Sequence, residues 1–458
     1  MSSNTSRRGV RAVQAKLKQF IERRRESLIA DWFEIVRQPS ISSTGEGVVD
    51  CCNLLVRKME ELGIEVQVFE SLRYPIIFGR YGRDPNKKTV LMYAHYDVQP
   101  PDPESEWNTP PFEPTVIDGV AYARGISDNK AGLMAQLKAL EFWVREIGEV
   151  PVNLKFVYEG CEENSSVGLP EFVAENAELL EADVVYSSDG CRHESGVPAI
   201  CLGAKGLLSI ELDMKTIGRD AHSSNAPVLK NAALEMARLL VQINDQGKIR
   251  VPGFYDSVVM PTELEKQILQ QLPDVEAEME QVFGVKPVVP EGSTYYEHFL
   301  YSPTFNVSGL NAGYTGKGRK TIVPAQASAK VDMRLVPNQD PQEIFELVSA
   351  YIEQMGYDNV SVRKLGAVHP SRTPLDTPYL EAFKAATVDT FDGYIIYPRR
   401  AATGPDYVWT QILHKPVIQV RYSDADSANH SPNEKLKIDT FLKGIELAAR
   451  VASYISKM

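Results

Sequence analysis

The chain has 458 residues, a formal net charge of −12, 43% hydrophobic residues and 24% charged residues. That length exceeds one ordinary core and implies two or three domains, and the acidic balance excludes a surface built for nucleic acid or anionic membrane. No apolar run approaches the roughly 18 residues that a membrane span requires.

The polar start carries Arg7, Arg8 and Arg11 with no apolar stretch behind them, which argues against a secretory signal. A transit peptide over residues 1–14 is the alternative, since no acidic residue precedes Glu22. Five cysteines (Cys51, Cys52, Cys161, Cys191, Cys201) are odd in number and lack C-x-x-C spacing. They point to thiols packed as small hydrophobes in a reducing, cytoplasmic setting.

Apolar positions at 17, 20, 21, 28, 29, 32, 33 and 36 predict a helix over 13–36. A second helix covers 49–62 and stops at Gly63, where glycine suits the first residue past a helix. Strands are predicted over 64–69 and 75–81. The β-rich run 89–93 reads as a central strand and leads into Ala94-His95-Tyr96-Asp97. Pro100, Pro101 and Pro103 forbid regular structure after it, and residues 102–127 read as a polar, Pro- and Gly-rich excursion. A helix then begins with Asp128 at or near its N-cap and Leu133, Met134, Leu137, Leu140 and Trp143 on one face. Strands over 152–158 and 182–186 end just before Glu162-Glu163 and Asp189.

Strands alternating with helices predict an α/β fold: a mostly parallel sheet with helices on both faces. A different pattern starts after 203–206. It runs strand (207–215), helix (229–243), a charged, Pro-broken middle (251–302), strands (304–308 and 327–335), helix (341–355) and strand (360–365). That order reads as a smaller, ferredoxin-like α+β domain inserted into the first. The expected division is therefore 1–206 and 372–458 for one domain and 207–371 for the insertion, with 370–378 as the return linker. A helix (379–391), a strand (417–420) and a loop (423–433) follow. The last helix is expected to be capped by Asp439, with Ile445, Ala448, Ala449, Ala452 and Ile455 facing inward.

His95, Asp97, Glu162, Glu163 and Asp189 all follow closely after predicted strands, the edge where such sheets bind ligands. Singly, each has an ordinary role: Asp128 as a cap, Asp189 in a turn, His430 in a loop, Arg334 in a surface ion pair. Together, two histidines and three carboxylates suit two divalent ions with one carboxylate bridging. Adjacent Glu162 and Glu163 leave the backbone in different directions, which suits one metal ligand and one free base. His-x-Asp at strand spacing puts His95 and Asp97 on one face, where Asp97 can order the imidazole.

These residues resemble the M20 metallopeptidases, a family of carnosinase-type cytosolic dipeptidases, aminoacylases and biosynthetic deacylases. The resemblance spans nearly all of the chain after residue 20. It rests on His95-Asp97, Gly125 to Lys130, Glu162-Glu163, Asp189, Ala221-His222-Ser223-Ser224, Gly309 to Pro324, Asp332 to Pro337, Ala402 to Asp406 and Asn429 to Glu434. It implies His95 and Asp189 on one metal ion, Glu163 and His430 on the other, and Asp128 between them. Glu162 is implied as general base and Asp97 as the residue tuning His95. His222, on the inserted lid and dimerisation domain, is implied to reach a partner subunit's site in a homodimer. Arg334, Thr321 and the backbone at Gly404 are implied to hold the substrate's free carboxylate, a carboxypeptidase-like demand.

Asp189 in place of glutamate favours the dipeptidase branch. The ions are expected to be zinc, with manganese or cobalt as alternatives. The expected substrate is a dipeptide or small peptide; the alternatives are an N-acyl amino-acid deacylase or biosynthetic amidohydrolase on the same scaffold and, in another class, a metal-free binding or scaffold protein. No nucleic-acid or membrane partner is expected. Segment 251–302 and the loop 397–406 are expected to shape the substrate pocket.

Overall fold

Alternation along the strand Thr89–His95 sets the layers of the molecule. Val90, Met92 and Ala94 enter one apolar cluster, and Leu91 and Tyr93 enter another on the opposite face. A strand buried on both sides belongs at the centre of a sheet covered by helices. The computed structural model describes residues 2–245 and 247–458, with side chains from residue 13 onward.

The large sheet has eight strands, in the order Glu65–Phe69, Ile76–Tyr81, Asn153–Glu159, Thr89–His95, Val184–Ser187, Val417–Arg421, Ala199–Cys201, Ile395–Tyr397. Four of its strands, from Asn153–Glu159 to Val417–Arg421, run parallel; Ile76–Tyr81 and Ala199–Cys201 join them antiparallel on either side, and the outermost pairings are antiparallel at Glu65–Phe69 and parallel at Ile395–Tyr397. One face is covered by helices Val48–Glu61, Lys130–Phe142, Leu380–Phe391 and Ile438–Ile455 and by the long helix Ser2–Arg37. The other face carries Leu169–Glu175 and the turn around Trp409. Each fully buried Leu, Val or Phe there contributes about 1.5–3 kcal/mol of apolar transfer.

Every residue of helix Lys130–Phe142 is buried. Its charged members are satisfied rather than solvated: Lys130 Nζ donates to the carbonyls of Ile35 (3.1 Å) and Gln38 (2.6 Å), and Lys138 Nζ to Asp31 (2.5 Å) and Glu141 (2.8 Å). Residue Asn129, not Asp128, stands at its N-cap. The last helix starts two residues earlier than a cap at Asp439 requires, with Lys437 at its N-cap. Asp424, from the preceding loop, accepts the Lys437 N–H (2.8 Å) and the Thr440 hydroxyl (2.9 Å), and Asp439 is left on the surface beside Arg25.

Two stretches read as irregular are ordered. Within 102–127, strands Thr115–Ile117 and Val120–Tyr122 form a hairpin that Lys435–Lys437 extends to three strands. Its turn is Asp118-Gly119, both at positive φ, the dipeptide that favours tight hairpins. Within 251–302 lie three short helices, Glu263–Leu269, Glu276–Phe283 and Tyr295–Tyr301. The first and third begin with reciprocal caps, Thr262 with Glu265 and Thr294 with Glu297.

A second, four-stranded antiparallel sheet runs in the order Asn306–Ala312, Gln326–Leu335, Gly206–Lys215, Val360–Val368. Helices Ala232–Ile243 and Pro341–Gln354 pack on it around Leu208, Ile210, Met236, Leu239, Met333 and Val348, a core of its own. Entry and exit of this unit are paired to each other: Gly203–Ala204 lies antiparallel to Ser371–Arg372. A Cβ at Gly203 would stand 2.3 Å from the Ser371 carbonyl oxygen, so no side chain fits. Among the described residues no helix is long and apolar enough to cross a membrane. Gly203→Ala is expected to destabilise the protein by about 1–3 kcal/mol, read as a lower urea midpoint at unchanged slope.

Candidate metal centre

Three neighbouring parallel strands, Asn153–Glu159, Thr89–His95 and Val184–Ser187, end at one edge of the large sheet. Their carboxyl ends deliver Glu162 and Glu163, His95, and Asp189 to the same place, as open α/β sheets do. Glu162 and Glu163 sit on a single 3-10 turn, Glu162–Asn164. Asp128 arrives from the start of helix Lys130–Phe142, and His430 from the loop ahead of Lys435–Lys437, where it holds a φ of 63°.

Asp128 joins the two histidines. Its Oδ1 is 3.2 Å from His95 Nε2 and its Oδ2 is 3.1 Å from His430 Nε2. Asp189 lies 3.9 Å from His95 Nε2, and Glu163 lies 3.2 Å from His430 Nε2. Two triads follow, His95–Asp128–Asp189 and Asp128–Glu163–His430, each with its ligand atoms within 4.8 Å of one another. The predicted ligands are thus brought together, with Asp128 common to both sets.

The electrostatics of the cluster call for cations. Burial opposes protonation of His95, yet hydrogen bonds with Asp128 and Asp97 carry its pKa well above the ordinary value. Asp128 and Glu163 carry His430 up to about 10. Burial, reinforced by Asp128, raises Asp189 to about 6. Burial also lifts Glu162 well above the usual carboxylate range; His95 opposes this, and Asp189 and Glu163 add to it. Imidazole and carboxylate donors converging around so much negative charge fit divalent metal ions.

Asp97, fully buried, does more than face His95. The Nδ1 of His95 is 3.1 Å from the Asp97 carbonyl and 3.4 Å from its carboxylate. The carboxylate itself accepts the backbone N–H groups of Glu162 and Glu163, both at 3.1 Å. It therefore fixes the turn that carries the glutamate pair. Glu434, also fully buried, plays the same part opposite. It accepts from the N–H groups of Gly125 (2.9 Å), Ser127 (2.9 Å) and Asp128 (3.0 Å) and pairs with Arg124 (2.8 Å). Four residues from His430, it ties that loop to the turn bearing Asp128.

Sequence reasoning did not single out Glu434 for this role. Nor did it find Gln99, which donates to Glu163 (2.8 Å), or Asn429, which donates to Asp128 (3.2 Å). Gln99 lies two positions beyond Asp97, and Asn429 directly precedes His430, so proximity to a ligand motif was the available signal.

The remaining predicted residues lie apart from the cluster and form two groups. His222 and Thr321 belong to a short ribbon, Ala221–His222 with Ile322–Val323, on the inserted unit. Both are exposed, and the His222 ring contacts Ser224 (2.9 Å). Arg334 donates to the Thr403 hydroxyl (2.5 Å) and lines a cavity of about 440 Å³ with Lys205, His298 and Ala401. Gly404 is packed on Arg400, whose guanidinium is paired with Asp406 and Gln419. Thr321 thus sits beside His222 rather than beside Arg334 and Gly404, because the strand register pairs His222 with Ile322. A larger cavity, about 970 Å³, opens at the end of the small sheet around Asp213, Asn311 and Asp358, and none of the cluster lines it.

Residues 91–454 match the model of peptidase family M20/M25/M40, and the chain belongs to that family. It is 28% identical over 459 residues to the Cys-Gly metallodipeptidase of Schizosaccharomyces pombe, covering 94% of this chain and 96% of that protein. It is 30% identical over 386 residues to the human Beta-Ala-His dipeptidase, covering 82% and 76%. Among solved structures, an M20 family metallo-carboxypeptidase from Sulfolobus solfataricus superposes with a TM-score of 0.85 at 34% identity, covering 94% of this chain and 99% of that one. Family, relatives and paired ligand clusters together define a metal-dependent dipeptide hydrolase.

Asp97→Ala removes the acceptor for two N–H groups and the neighbour of a candidate ligand imidazole, His95. It is expected to weaken divalent-metal affinity about 10–100-fold, measured by chelator competition.

Proposed function

We propose that this protein is a dinuclear metallodipeptidase that takes small peptides with a free C-terminal carboxylate. The observation that carries this reading is Asp128, common to both ligand triads. His95 and Asp189 would hold one ion, Glu163 and His430 the other, and Asp128 both. Zinc is the ion proposed for this donor set, ahead of manganese and cobalt. Such a pair supplies a water acidified toward neutral pKa and a Lewis acid at the scissile carbonyl.

The chain's own residues do the rest. Glu162, with a raised pKa and no ligand role, takes a proton from the attacking water and returns it to the leaving amine. Asp97 holds Glu162 and His95 in register through the hydrogen bonds described above. Arg334 grips the substrate carboxylate with its planar fork, close to Thr403 and the Gly404 backbone.

His222 and Thr321 are proposed to act from a second subunit, His222 on the developing oxyanion. Their exposure on a ribbon away from their own cluster supports this. The proposed domains are 1–206 with 372–458 for catalysis and 207–371 for closure and dimerisation. Five free thiols, four of them buried, support a cytoplasmic setting. The names of the relatives, a Cys-Gly and a Beta-Ala-His dipeptidase and a metallo-carboxypeptidase, favour unblocked dipeptides over N-acyl amino acids.

With divalent metal supplied, unblocked dipeptides are expected to be cleaved and N-acetyl or N-succinyl amino acids to be poor substrates. The reverse order of kcat/KM would reassign the protein as a deacylase. In the same assay Glu162→Gln keeps its metal and loses about 10²–10⁴ in kcat; loss of metal would make Glu162 a ligand instead. Sedimentation is expected to show a dimer of the 51.0 kDa chain, and a fully active monomer would refute the shared site.

A further inference from the structure

Strand Val417–Arg421 ends at the ligand-bearing edge of the large sheet, next to Val184–Ser187. Its last residue, Arg421, lies over the backbone that follows Asp189. A Cβ at Gly190 would stand 2.7 Å from Arg421 Nε, and Gly190 has a φ of +85°, so the position takes glycine for two reasons. Arg421 is half-buried and sits beside the Cys201 thiol.

Arg421 differs from its basic neighbours. Arg192 is paired with Asp424 at 3.0 Å and Arg400 with Asp406 at 2.5 Å. Among the described residues no carboxylate lies within 4 Å of the Arg421 guanidinium. Instead it lines a cavity of about 250 Å³, walled by Phe299 and Tyr397 and kept open by Ala401 and Ala402. That is space for several waters at roughly 30 Å³ each, or for a carboxymethyl or carboxyethyl side chain. Three arginines line it, against one carboxylate, the exposed Glu194. With Arg192 and Arg400 already paired, Arg421 is the lining arginine whose charge no carboxylate ion pair offsets among the described residues.

The cavity adjoins the one that holds Arg334, for Phe299 and Ala401 line both. Two arginines, Arg334 and Arg421, therefore serve adjoining cavities, and one C-terminal carboxylate occupies only one of them. A half-buried guanidinium without a protein anion is suited to a charge-assisted, bidentate bond with an incoming carboxylate.

We propose that this pocket beside Asp189 receives a second substrate carboxylate, carried on a side chain, and that Arg421 is the specificity residue that binds it. The inference rests on the dipeptidase reading and narrows it to peptides containing glutamate or aspartate. Segment 251–302, through Phe299 and Leu300, forms one wall of the pocket.

The test compares kcat/KM of the metal-loaded enzyme for Glu-Ala and Ala-Glu with their amide isosteres Gln-Ala and Ala-Gln. At least one acidic peptide is expected to exceed its isostere about ten- to hundred-fold, the range for a hydrogen bond to a charged group. The position that shows the preference identifies which residue of the substrate fills the pocket. Arg421→Met is expected to abolish that ratio, Arg421→Lys to restore part of it, and Arg421→Glu to shift preference toward lysine-containing peptides. Melting temperatures of the three variants separate loss of selectivity from loss of fold. Acidic peptides no better than their amides, or equal losses for both in Arg421→Met, would overturn the proposal. Failure of the wild type to cleave any dipeptide while cleaving N-acyl amino acids would instead overturn the dipeptidase reading, and the proposal with it.

Discussion

One carboxylate, that of Asp128, lies between two imidazoles that reach it from opposite ends of the chain. Everything else at the sheet edge serves to keep that arrangement. Three carboxylates and two histidines packed this closely repel or over-protonate one another unless divalent cations neutralise them. The fold meets this demand with buried acids that are not ligands. Asp97 accepts the N–H groups of the glutamate pair, and Glu434 accepts three N–H groups around Asp128. Backbone donors aimed at a carboxylate are rigid, so the protein itself holds the candidate ligands in place.

Much of the catalytic edge is legible in the sequence, because a strand end followed by an acid or a histidine is a local pattern. His95, Glu163 and Asp189 each follow a β-rich run by a few residues, and a parallel sheet has only one carboxyl edge on which to gather them. His430 and Asp128 stood out only as members of the set, since a loop histidine and a residue before a helix have commoner roles, and their separate parts needed the family resemblance. Asp97 and Glu434 as backbone acceptors were not legible: the groups they bind lie about 65 and 310 residues away in the chain, and any acid of that length reads alike. Two misses were avoidable. Asp118-Gly119 is a hairpin dipeptide, and Thr262 and Thr294 each precede a glutamate by three residues, the signature of a helix start.

The segment 251–302 looked like a break in the inserted unit and is a bridge. Its helices pack Leu269, Leu272, Tyr296, Leu300 and Tyr301 against Ile395 and Tyr397 of the large sheet's outermost strand. Glu265, from the first of these helices, lies near both Arg372 of the linking ribbon and Arg399. Arg399 in turn lies 3.7 Å from the centre of the Tyr301 ring. Phe299 and Leu300 of this segment thereby furnish a wall of the cavity that Arg421 lines.

The two-residue ribbon of Gly203–Ala204 with Ser371–Arg372 has a further meaning. A polypeptide that departs from its host and returns through neighbouring, hydrogen-bonded positions imposes almost no closure cost on the host's own topology. All five ligand candidates lie outside the excursion. Sequence drift within the excursion, including changes in its length, can therefore reshape what docks near the candidate ligands while the frame that carries them stays as it was.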